Sequence, residues 1–332
     1  MTLLSGFDGQ GTIPSVPRHN RASDRTMRPQ INADFAPIAV FVYKRPHHTA
    51  RLIDSLLANP SVADSPVFVF CDGARTAEDR EAVETTRRLV RERVGPYGEI
   101  IERTTNLGLA SSIVGGVTEL VMRYGRVIVL EDDLILHRGC IDFLNAALRH
   151  YADDERVYHV NAYRYPIPAA AAPSLSRLTS SWGWATWRRA WEAFEHDAAK
   201  LEQLIRAAGL ASDMDFGGSF PFFAMLQQQV LGQIDSWAIR WYASVLLRKG
   251  LAVYPGVSQT VNGGMDSTGS HSPATSRYEV QLGTASQDWP AQVAEDPLTL
   301  RQLQAFLGGV SGSYPRRLAR QLKRLLFKSR DA

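Results

Sequence analysis

Three consecutive carboxylates at the end of an apolar run are the residues of this sequence best suited to chemistry. The run Val127-Ile128-Val129-Leu130 is typical of a strand buried on both faces, and Glu131-Asp132-Asp133 follow it directly. In open α/β sheets, ligands bind beyond the carboxyl ends of the strands. Adjacent carboxylates repel one another, and their oxygens suit hard cations such as Mg²⁺ or Mn²⁺, which bridge nucleotide phosphates. The triplet therefore predicts a metal and nucleotide site, although an isolated acidic triplet is more often a solvated strand end.

The segments around the triplet alternate between strands and helices. Apolar runs predict strands, and spaced apolar positions predict helices between them. The predicted strands are 38–43, 67–70, 100–101, 126–130 and 157–162, and the helices between or after them include 77–94, 110–124 and 140–151. This alternation predicts an α/β fold with a mostly parallel sheet covered by helices on both faces.

Two phosphate-binding loops are missing from the sequence. No Gly-x-Gly-x-x-Gly follows the first strand, which disfavours a dinucleotide-binding fold, and no Gly-Lys-Ser/Thr loop occurs, which disfavours a nucleoside triphosphatase. A nucleotide bound here would therefore be held at its phosphates by the carboxylates and their metal.

The second half of the chain is richer in aromatic residues. Residues 181–187 read Ser-Trp-Gly-Trp-Ala-Thr-Trp, and further aromatic residues follow between Trp191 and Tyr242. Indole rings either pack a core or form a platform for a sugar face. Gly183, between two tryptophans, allows backbone to approach a ligand closely. A helix is predicted over 238–249, a strand over 251–254, and a mobile lid over the polar, glycine-rich segment 262–271.

Composition indicates a soluble globular protein. The 332 residues are 45% hydrophobic with a formal net charge of +3, too small to indicate nucleic-acid binding. Two cysteines cannot form a disulfide framework and fit a reducing cytoplasm. Residues 1–34 lack the apolar stretch of a secretory signal and have the composition of a disordered lead-in. No apolar run approaches the length of a membrane span, so a cytoplasmic location is expected.

The C-terminal segment predicts a basic amphipathic helix. Leu318, Leu322 and Leu325 recur at helical spacing among arginines and lysines. Such a helix can rest on an anionic membrane surface, which would place the protein at the inner face of the cell membrane. Equally, it can dock on the body of the protein by its leucine face.

Taken together, the motifs resemble those of GT-A glycosyltransferases. The similarity is to bacterial sugar transferases of the glycosyltransferase 2-like type and to the N-acetylglucosaminyltransferase I family. It rests on 41–46 (Phe-Val-Tyr-Lys-Arg-Pro), 71–73 (Cys-Asp-Gly), 106–110 (Asn-Leu-Gly-Leu-Ala), 131–134 (Glu-Asp-Asp-Leu), 182–187 and 235–237 (Asp-Ser-Trp). The acidic triplet departs from a strict Asp-x-Asp, in a form that this subfamily tolerates.

The resemblance implies a donor site for a nucleotide sugar. Arg45 and Asp72 would hold the base, with Asp72 accepting the N3–H of a uracil, and Asp132 would lie near the ribose or the donor sugar. The same resemblance adds three residues to the donor site: Asn106, Glu131 and Trp184. From position alone, Asp72 before Gly73 is equally well explained as a turn residue.

The resemblance also implies the metal ligands and the base. Asp133 would ligate Mn²⁺ (or Mg²⁺), His271 could be a second ligand, and Asp235 would be the general base of an inverting displacement. Glycosyl transfer needs a cation to neutralise the departing diphosphate and a base to take the acceptor's proton. A helix N-cap competes with the base role for Asp235, and a solvated loop histidine competes with the ligand role for His271.

The predicted function is metal-dependent, inverting transfer of a hexosyl or N-acetylhexosaminyl group. The donor would be a UDP-sugar and the acceptor a hydroxyl of a glycan or lipid-linked glycan, in polysaccharide biosynthesis. Two alternatives are a sugar-nucleotide pyrophosphorylase, which would need a glycine-rich loop after the first strand, and a non-catalytic binding module. The predicted organisation is a lead-in (1–35), a nucleotide-sugar half (36–163), an acceptor-binding and catalytic half (164–290) and a helical extension (291–332).

Overall fold

A computed structural model describes residues 34–264 and 275–311. The strands of this part are β1 (Ile38–Val42), β2 (Val67–Cys71), β3 (Gly98–Glu102), β4 (Arg126–Glu131), β5 (Leu134–Leu136), β6 (Val157–Asn161), β7 (Ser174–Ser176), β8 (Trp184–Trp187), β9 (Leu251–Tyr254) and β10 (Thr260–Asn262). The helices are α1 (Pro46–Leu57), α2 (Arg80–Arg93), α3 (Leu109–Tyr124), α4 (Cys140–His150), α5 (Arg188–Trp191), α6 (Ala198–Ala207), α7 (Ala211–Met214), α8 (Phe222–Val230), α9 (Trp237–Leu247) and α10 (Pro297–Ser311).

Eight of these strands form a central mixed sheet in the order β3-β2-β1-β4-β8-β6-β9-β7. The first four pair in parallel, as do β6 and β9. Strand β8 pairs antiparallel with both β4 and β6, and β7 pairs antiparallel with β9. The predicted α/β class with a mostly parallel sheet is confirmed.

The buried strands explain why this half of the sequence folds as it does. All five residues of β1 and of β2 are buried, as are the four apolar residues of β4, because helices pack on the sheet and leave few solvent-facing positions. Helix α1 begins with Pro46, whose fixed φ suits a first helical turn. Helix α3 ends at Tyr124 and is capped by Gly125, whose φ of +78° lies in the left-handed region.

The chain changes direction across the sheet between β1 and β4. From β1 the chain builds outward through β2 to β3, and it then returns to place β4 on the other side of β1. The carboxyl ends of β1 and β4 therefore bound a topological switch point, where ligand crevices form in open α/β sheets. The backbone N–H of Tyr43, just after β1, donates to Asp132 Oδ2, just after β4, at 3.4 Å.

A second apolar cluster lies beyond the central sheet. Its buried residues come from α6, α9 and α10, among others, and include Leu201, Tyr242, Leu303 and Leu307. Helix α10 lies in the predicted C-terminal extension, whereas the basic amphipathic segment after it lies outside the described residues. Within residues 34–264 and 275–311, no helix is both long enough and apolar enough to cross a membrane.

Candidate functional site

The acidic triplet leaves the sheet at the switch point and its three carboxylates have different surroundings. Glu131 is the last residue of β4 and pairs with Phe41 of β1. Its Oε1 is buried without a hydrogen-bond partner among the described residues. Burial, followed by the charges of Asp133 and Asp132, raises the pKa of Glu131 well above its ordinary value. Glu131 is therefore a carboxyl that a nearby cation would stabilise in its ionised form.

Asp132 and Asp133 also have raised pKa values. Burial and the neighbouring Asp133 raise the pKa of Asp132 to about 7, against the opposing effect of Arg45. Burial also raises the pKa of Asp133, while Arg45 and a hydrogen bond with Asn262 oppose the rise. Three carboxyl groups with raised pKa values at one strand end indicate a site with too little positive charge for its acids.

Asp133 faces a short segment that follows β10. Its backbone carbonyl accepts the N–H of Gly263 at 2.7 Å, and Arg45 Nη1 lies 3.6 Å from its Oδ2. A Cβ on Gly264 would lie 2.6 Å from Asp133 Oδ2 and 2.8 Å from Arg45 Nη1. Glycine at 264 thus lets backbone lie directly against the charged pair.

This segment is held in place by β10 and by its own turn. Strand β10 pairs antiparallel with β5, which follows the triplet. The N–H of Gly264 donates to Asn262 Oδ1 at 2.7 Å. The sequence pattern singled out 262–271 as a polar loop but did not indicate that Asn262 and Gly264 contact Asp133. His271 lies outside the described residues.

Asp72 and Asn106 form a closed structural unit. Asp72 Oδ1 accepts the N–H groups of Gly73 and Leu107, both at 2.9 Å. Its Oδ2 accepts the N–H of Gly108 and the side-chain amide of Asn106, both at 3.0 Å. Four donors fill the acceptor capacity of a carboxylate. In this arrangement Asp72 fastens the 106–108 turn to the end of β2, and we leave both residues out of the direct base contacts.

Tyr43 and Lys44 connect the switch point to the segment after β2. The Tyr43 hydroxyl donates to Asp79 Oδ2 at 2.8 Å and accepts the N–H of Arg75 at 2.9 Å. Lys44 Nζ lies 2.6 Å from Asp79 Oδ1. No local sequence pattern indicated this network, because its acid lies 36 positions from Tyr43.

Trp184 has the environment of a core residue. It is fully buried in β8, with its ring stacked on His159 at a centroid distance of 5.1 Å and on Trp237 at 5.0 Å. A ring with no accessible surface cannot contact a donor, so we leave Trp184 out of the proposed site.

Asp235 lies at the surface immediately before α9. Its side chain is 67% exposed, and its Oδ1 accepts from Arg240 Nη2 at 3.1 Å. The N-cap of α9 is Ser236, whose Oγ accepts the N–H of Ile239. The N-cap alternative for Asp235 is therefore wrong, and its carboxylate is open to solvent on one side.

The chemistry of the triplet fits a divalent cation that brings other ligands with it. Within the described ranges, no three His, Cys, Asp or Glu side chains form a group that could hold a metal ion. Mg²⁺-type ions, however, commonly use one or two carboxylates and complete their shell with waters and substrate phosphates. The hard oxygens of Asp132 and Asp133, with their raised pKa values, suit such a cation.

Comparisons with known proteins give only distant structural similarity. No protein-family model matches the chain, and no curated protein matches it. Similar solved structures include the mannosyltransferase PcManGT from Pyrobaculum calidifontis in complex with GDP-Man and Mn²⁺, at 16% identity and a TM-score of 0.35, covering 65% of this chain and 76% of that one. Mouse xyloside xylosyltransferase 1 in its apo form is 9% identical with a TM-score of 0.34, covering 64% and 80%. Such scores are too low to bear on the activity of this chain.

Proposed function

We propose that this protein is a metal-dependent glycosyltransferase that uses a nucleotide diphosphate sugar. The observation that carries the proposal is the position of Glu131-Asp132-Asp133 at the switch point between β1 and β4. Ligand crevices form at such points, and a cluster of acids with raised pKa values calls for a cation there. A diphosphate bridged to that cation is the ligand that best matches both features.

In this proposal, Asp133 is the direct metal ligand and Asp132 adjoins the ribose or donor sugar. The bound cation would neutralise charge on the departing diphosphate. Arg45, 3.6 Å from Asp133, supplies a second positive charge at the same place. The backbone of Gly264, which lies against both side chains, limits the space for the phosphates on that side.

Asp235 remains our proposed general base. Its exposed carboxylate lies just before the N-terminus of α9 and is paired with the Arg240 guanidinium. Such a carboxylate can accept a proton from an acceptor hydroxyl within hydrogen-bond reach. That role is the one required of an inverting enzyme, in which a single displacement deprotonates the acceptor as it attacks. Transfer of a hexosyl or N-acetylhexosaminyl group from UDP to a glycan is the corresponding substrate assignment.

Release of nucleoside diphosphate separates this proposal from its alternatives. Purified full-length protein would be incubated with a panel of glycan acceptors and with UDP-, GDP-, dTDP- and CMP-sugars, each with Mn²⁺, with Mg²⁺ and with EDTA. Metal-dependent release from a diphosphate donor supports a transferase, and release of pyrophosphate from a sugar phosphate and a nucleoside triphosphate would support a pyrophosphorylase. Donor binding without release of nucleoside diphosphate under any condition would favour a non-catalytic binding module.

Nucleotide choice is measured separately from turnover. In a thermal-shift screen, binding to the folded state raises Tm, by an amount that corresponds to about 2.7 kcal/mol at a ligand concentration 100 times Kd. We expect UDP with Mn²⁺ to give the largest shift and UDP with EDTA to give little. Equal shifts with and without metal would contradict the assignment of the triplet to a metal.

Cytoplasmic location and membrane contact through the segment after residue 311 also stay proposals. Each basic side chain near an anionic membrane contributes about 1 kcal/mol. Deleting 315–332 should therefore abolish co-sedimentation with anionic vesicles and leave nucleotide binding unchanged. A lower Tm of the truncated protein, with unchanged co-sedimentation with vesicles, would favour a helix docked on the body of the protein.

A further inference from the structure

A second concave site lies beside the central sheet, between the segment before β8 and helices α8, α9 and α10. Its volume is about 340 Å³, within the range of small-molecule sites, which are typically about 300–1,000 Å³. Its walls include Trp182, Tyr278 and Met225 of α8. None of these residues belongs to the acidic triplet or contacts it directly.

The composition of the walls limits the ligand. Six aromatic side chains contribute to them: Tyr165, Trp182, Phe220, Phe222, Tyr242 and Tyr278. Among the described residues that line the cavity, none is charged and none carries an amide or an imidazole. The polar side-chain groups of the walls are hydroxyls and one indole N–H, and two of the hydroxyls already accept a backbone N–H, since Ser180 Oγ accepts that of Trp182 and Ser236 Oγ accepts that of Ile239.

Such walls suit an apolar group better than a sugar ring. Most of the wall surface is apolar, so a sugar ring buried there would leave some of its hydroxyls without a hydrogen-bond partner, at a cost of about 1–3 kcal/mol each. An aryl or alkyl group loses nothing by the absence of charged partners, and it gains from burial against aromatic side chains.

The cavity is bounded by elements that also carry the proposed catalytic groups. Ser236, on its wall, directly follows Asp235. The carbonyl of Trp182 accepts the Thr260 hydroxyl at 2.6 Å, and Thr260 begins β10, which leads to Gly264 beside Asp133. The cavity wall is therefore continuous in sequence with the proposed base and hydrogen-bonded to the strand that leads to the segment beside Asp133.

We propose that this cavity binds an apolar group, aryl or alkyl, carried by the acceptor, so that the acceptor is a lipid- or aryl-linked molecule rather than an unmodified polysaccharide. The term acceptor rests on the proposed function. Binding of the apolar group itself does not require any transfer chemistry.

Three glucosides that differ only in the aglycone test the inference. Calorimetry on the full-length protein would compare methyl, phenyl and n-octyl β-D-glucopyranoside without a donor. We expect the phenyl or the octyl compound to bind at least about tenfold more tightly than the methyl compound, because burial of a side-chain-sized apolar group is worth a factor of that order. Tighter phenyl binding identifies an aryl group, and tighter octyl binding identifies a lipid chain.

Two variants and a matched control connect that affinity to the cavity. Met225→Trp fills the cavity and Phe220→Ala removes one of its rings, so each should weaken binding of the preferred glucoside at least about tenfold. Leu231→Trp makes a comparable change on a side chain that is 69% exposed and outside the walls, and it should keep wild-type affinity. If circular dichroism shows Met225→Trp to be unfolded, the affinity of Phe220→Ala for the preferred glucoside provides the test.

Equal affinity for all three glucosides, or wild-type affinity in the folded cavity variant, would overturn the inference. These outcomes are distinct from failure of the proposed function. Glucoside binding without nucleoside diphosphate release from any donor would end the transferase proposal and leave the cavity assignment intact. Release of nucleoside diphosphate with an unmodified glycan acceptor, together with equal affinity for the three glucosides, would support the transferase proposal and overturn the cavity assignment.

Discussion

Arg45 and Asp133 face each other at the end of β4, with Nη1 of the arginine 3.6 Å from Oδ2 of the aspartate. The guanidinium opposes the rise in the pKa of Asp133 without cancelling it, because burial is the larger effect. The same guanidinium also acts on Asp132, whose pKa is nevertheless raised to about 7. One arginine therefore does not balance the acids at this strand end, which is the physical basis for expecting a cation with the donor.

Asp133→Ala should abolish metal-dependent donor binding and leave the fold intact. Removing this carboxylate also relieves its repulsion with Asp132, whose pKa it helps to raise, so the free energy of unfolding near pH 7 should stay equal or increase. Calorimetry of UDP with Mn²⁺ measures the first effect and urea unfolding the second. Asp153→Ala, at an exposed position, is the matched control, and unchanged UDP affinity in Asp133→Ala would remove Asp133 from the site.

Gly264→Ala should impair donor binding and also destabilise the fold. The added Cβ would meet Asp133 Oδ2 at 2.6 Å, Arg45 Nη1 at 2.8 Å and Asp133 Cβ at 2.8 Å. The first two atoms end side chains that can move, whereas Asp133 Cβ is fixed by its backbone, so residue 264 itself must shift. We expect a loss of about 1–3 kcal/mol in unfolding free energy and at least tenfold weaker binding of UDP with Mn²⁺.

Gly308→Ala provides the comparison for that experiment. It lies in α10 with open space around the added Cβ, so it should stabilise the protein by about 0.5–1 kcal/mol and keep UDP affinity. Wild-type affinity in Gly264→Ala as well would show that the contact between residue 264 and the charged pair is not part of donor binding.

The central strands could be predicted from sequence because their signal is local. Uninterrupted apolar runs marked β1, β2 and β4, and the apolar residues of these three strands are all buried. Strand β8 was missed because four residues carry little periodicity, and its place between β4 and β6 depends on antiparallel pairings with distant segments. Its tryptophans were consistent with either a packed core or a sugar platform, and Trp184 is a core residue.

The roles of single site residues depend on contacts that no local pattern encodes. Asp72 was recognised as either a turn residue or a base contact, and three of its four donors come from residues 106–108. Ser236, not Asp235, caps α9 because only its hydroxyl reaches the N–H of Ile239. The acidic triplet, by contrast, was identifiable because a strand and its terminal acids are contiguous.

Asp235→Asn should keep nucleotide affinity and lose most of the transfer rate. The amide cannot take a proton, and general base catalysis typically contributes about 10²–10⁴-fold. Loss of the exposed ion pair with Arg240 should change stability by less than about 1 kcal/mol. Arg240→Gln removes the same ion pair and retains the carboxylate, so it should keep far more activity. Comparable transfer rates in the two variants would assign the loss of rate to the ion pair and would rule out Asp235 as the general base.

The buried His159 should make stability fall as the pH falls below about 6.5. Trp241 Nε1 donates to its Nδ1 at 3.1 Å, and its Nε2 faces Asn161 Oδ1 at 3.0 Å and the carbonyl of Ser180 at 3.1 Å. The ring is therefore neutral with its proton on Nε2, and burial lowers the pKa of His159 to about 3.

The sign follows from proton binding to the unfolded chain. An unfolded histidine has a pKa of about 6.5, so between pH 6.5 and 3 the unfolded state binds a proton that folded His159 does not. The stabilisation is complete above pH 6.5 and is lost progressively down to about pH 3, with about 2 kcal/mol lost between pH 7 and pH 5. Urea unfolding at both pH values on the wild type and on His159→Gln isolates this contribution, because other titrating groups are common to both proteins. His196→Gln, at an exposed position, should retain the wild-type pH dependence, and an unchanged dependence in His159→Gln would contradict the assignment.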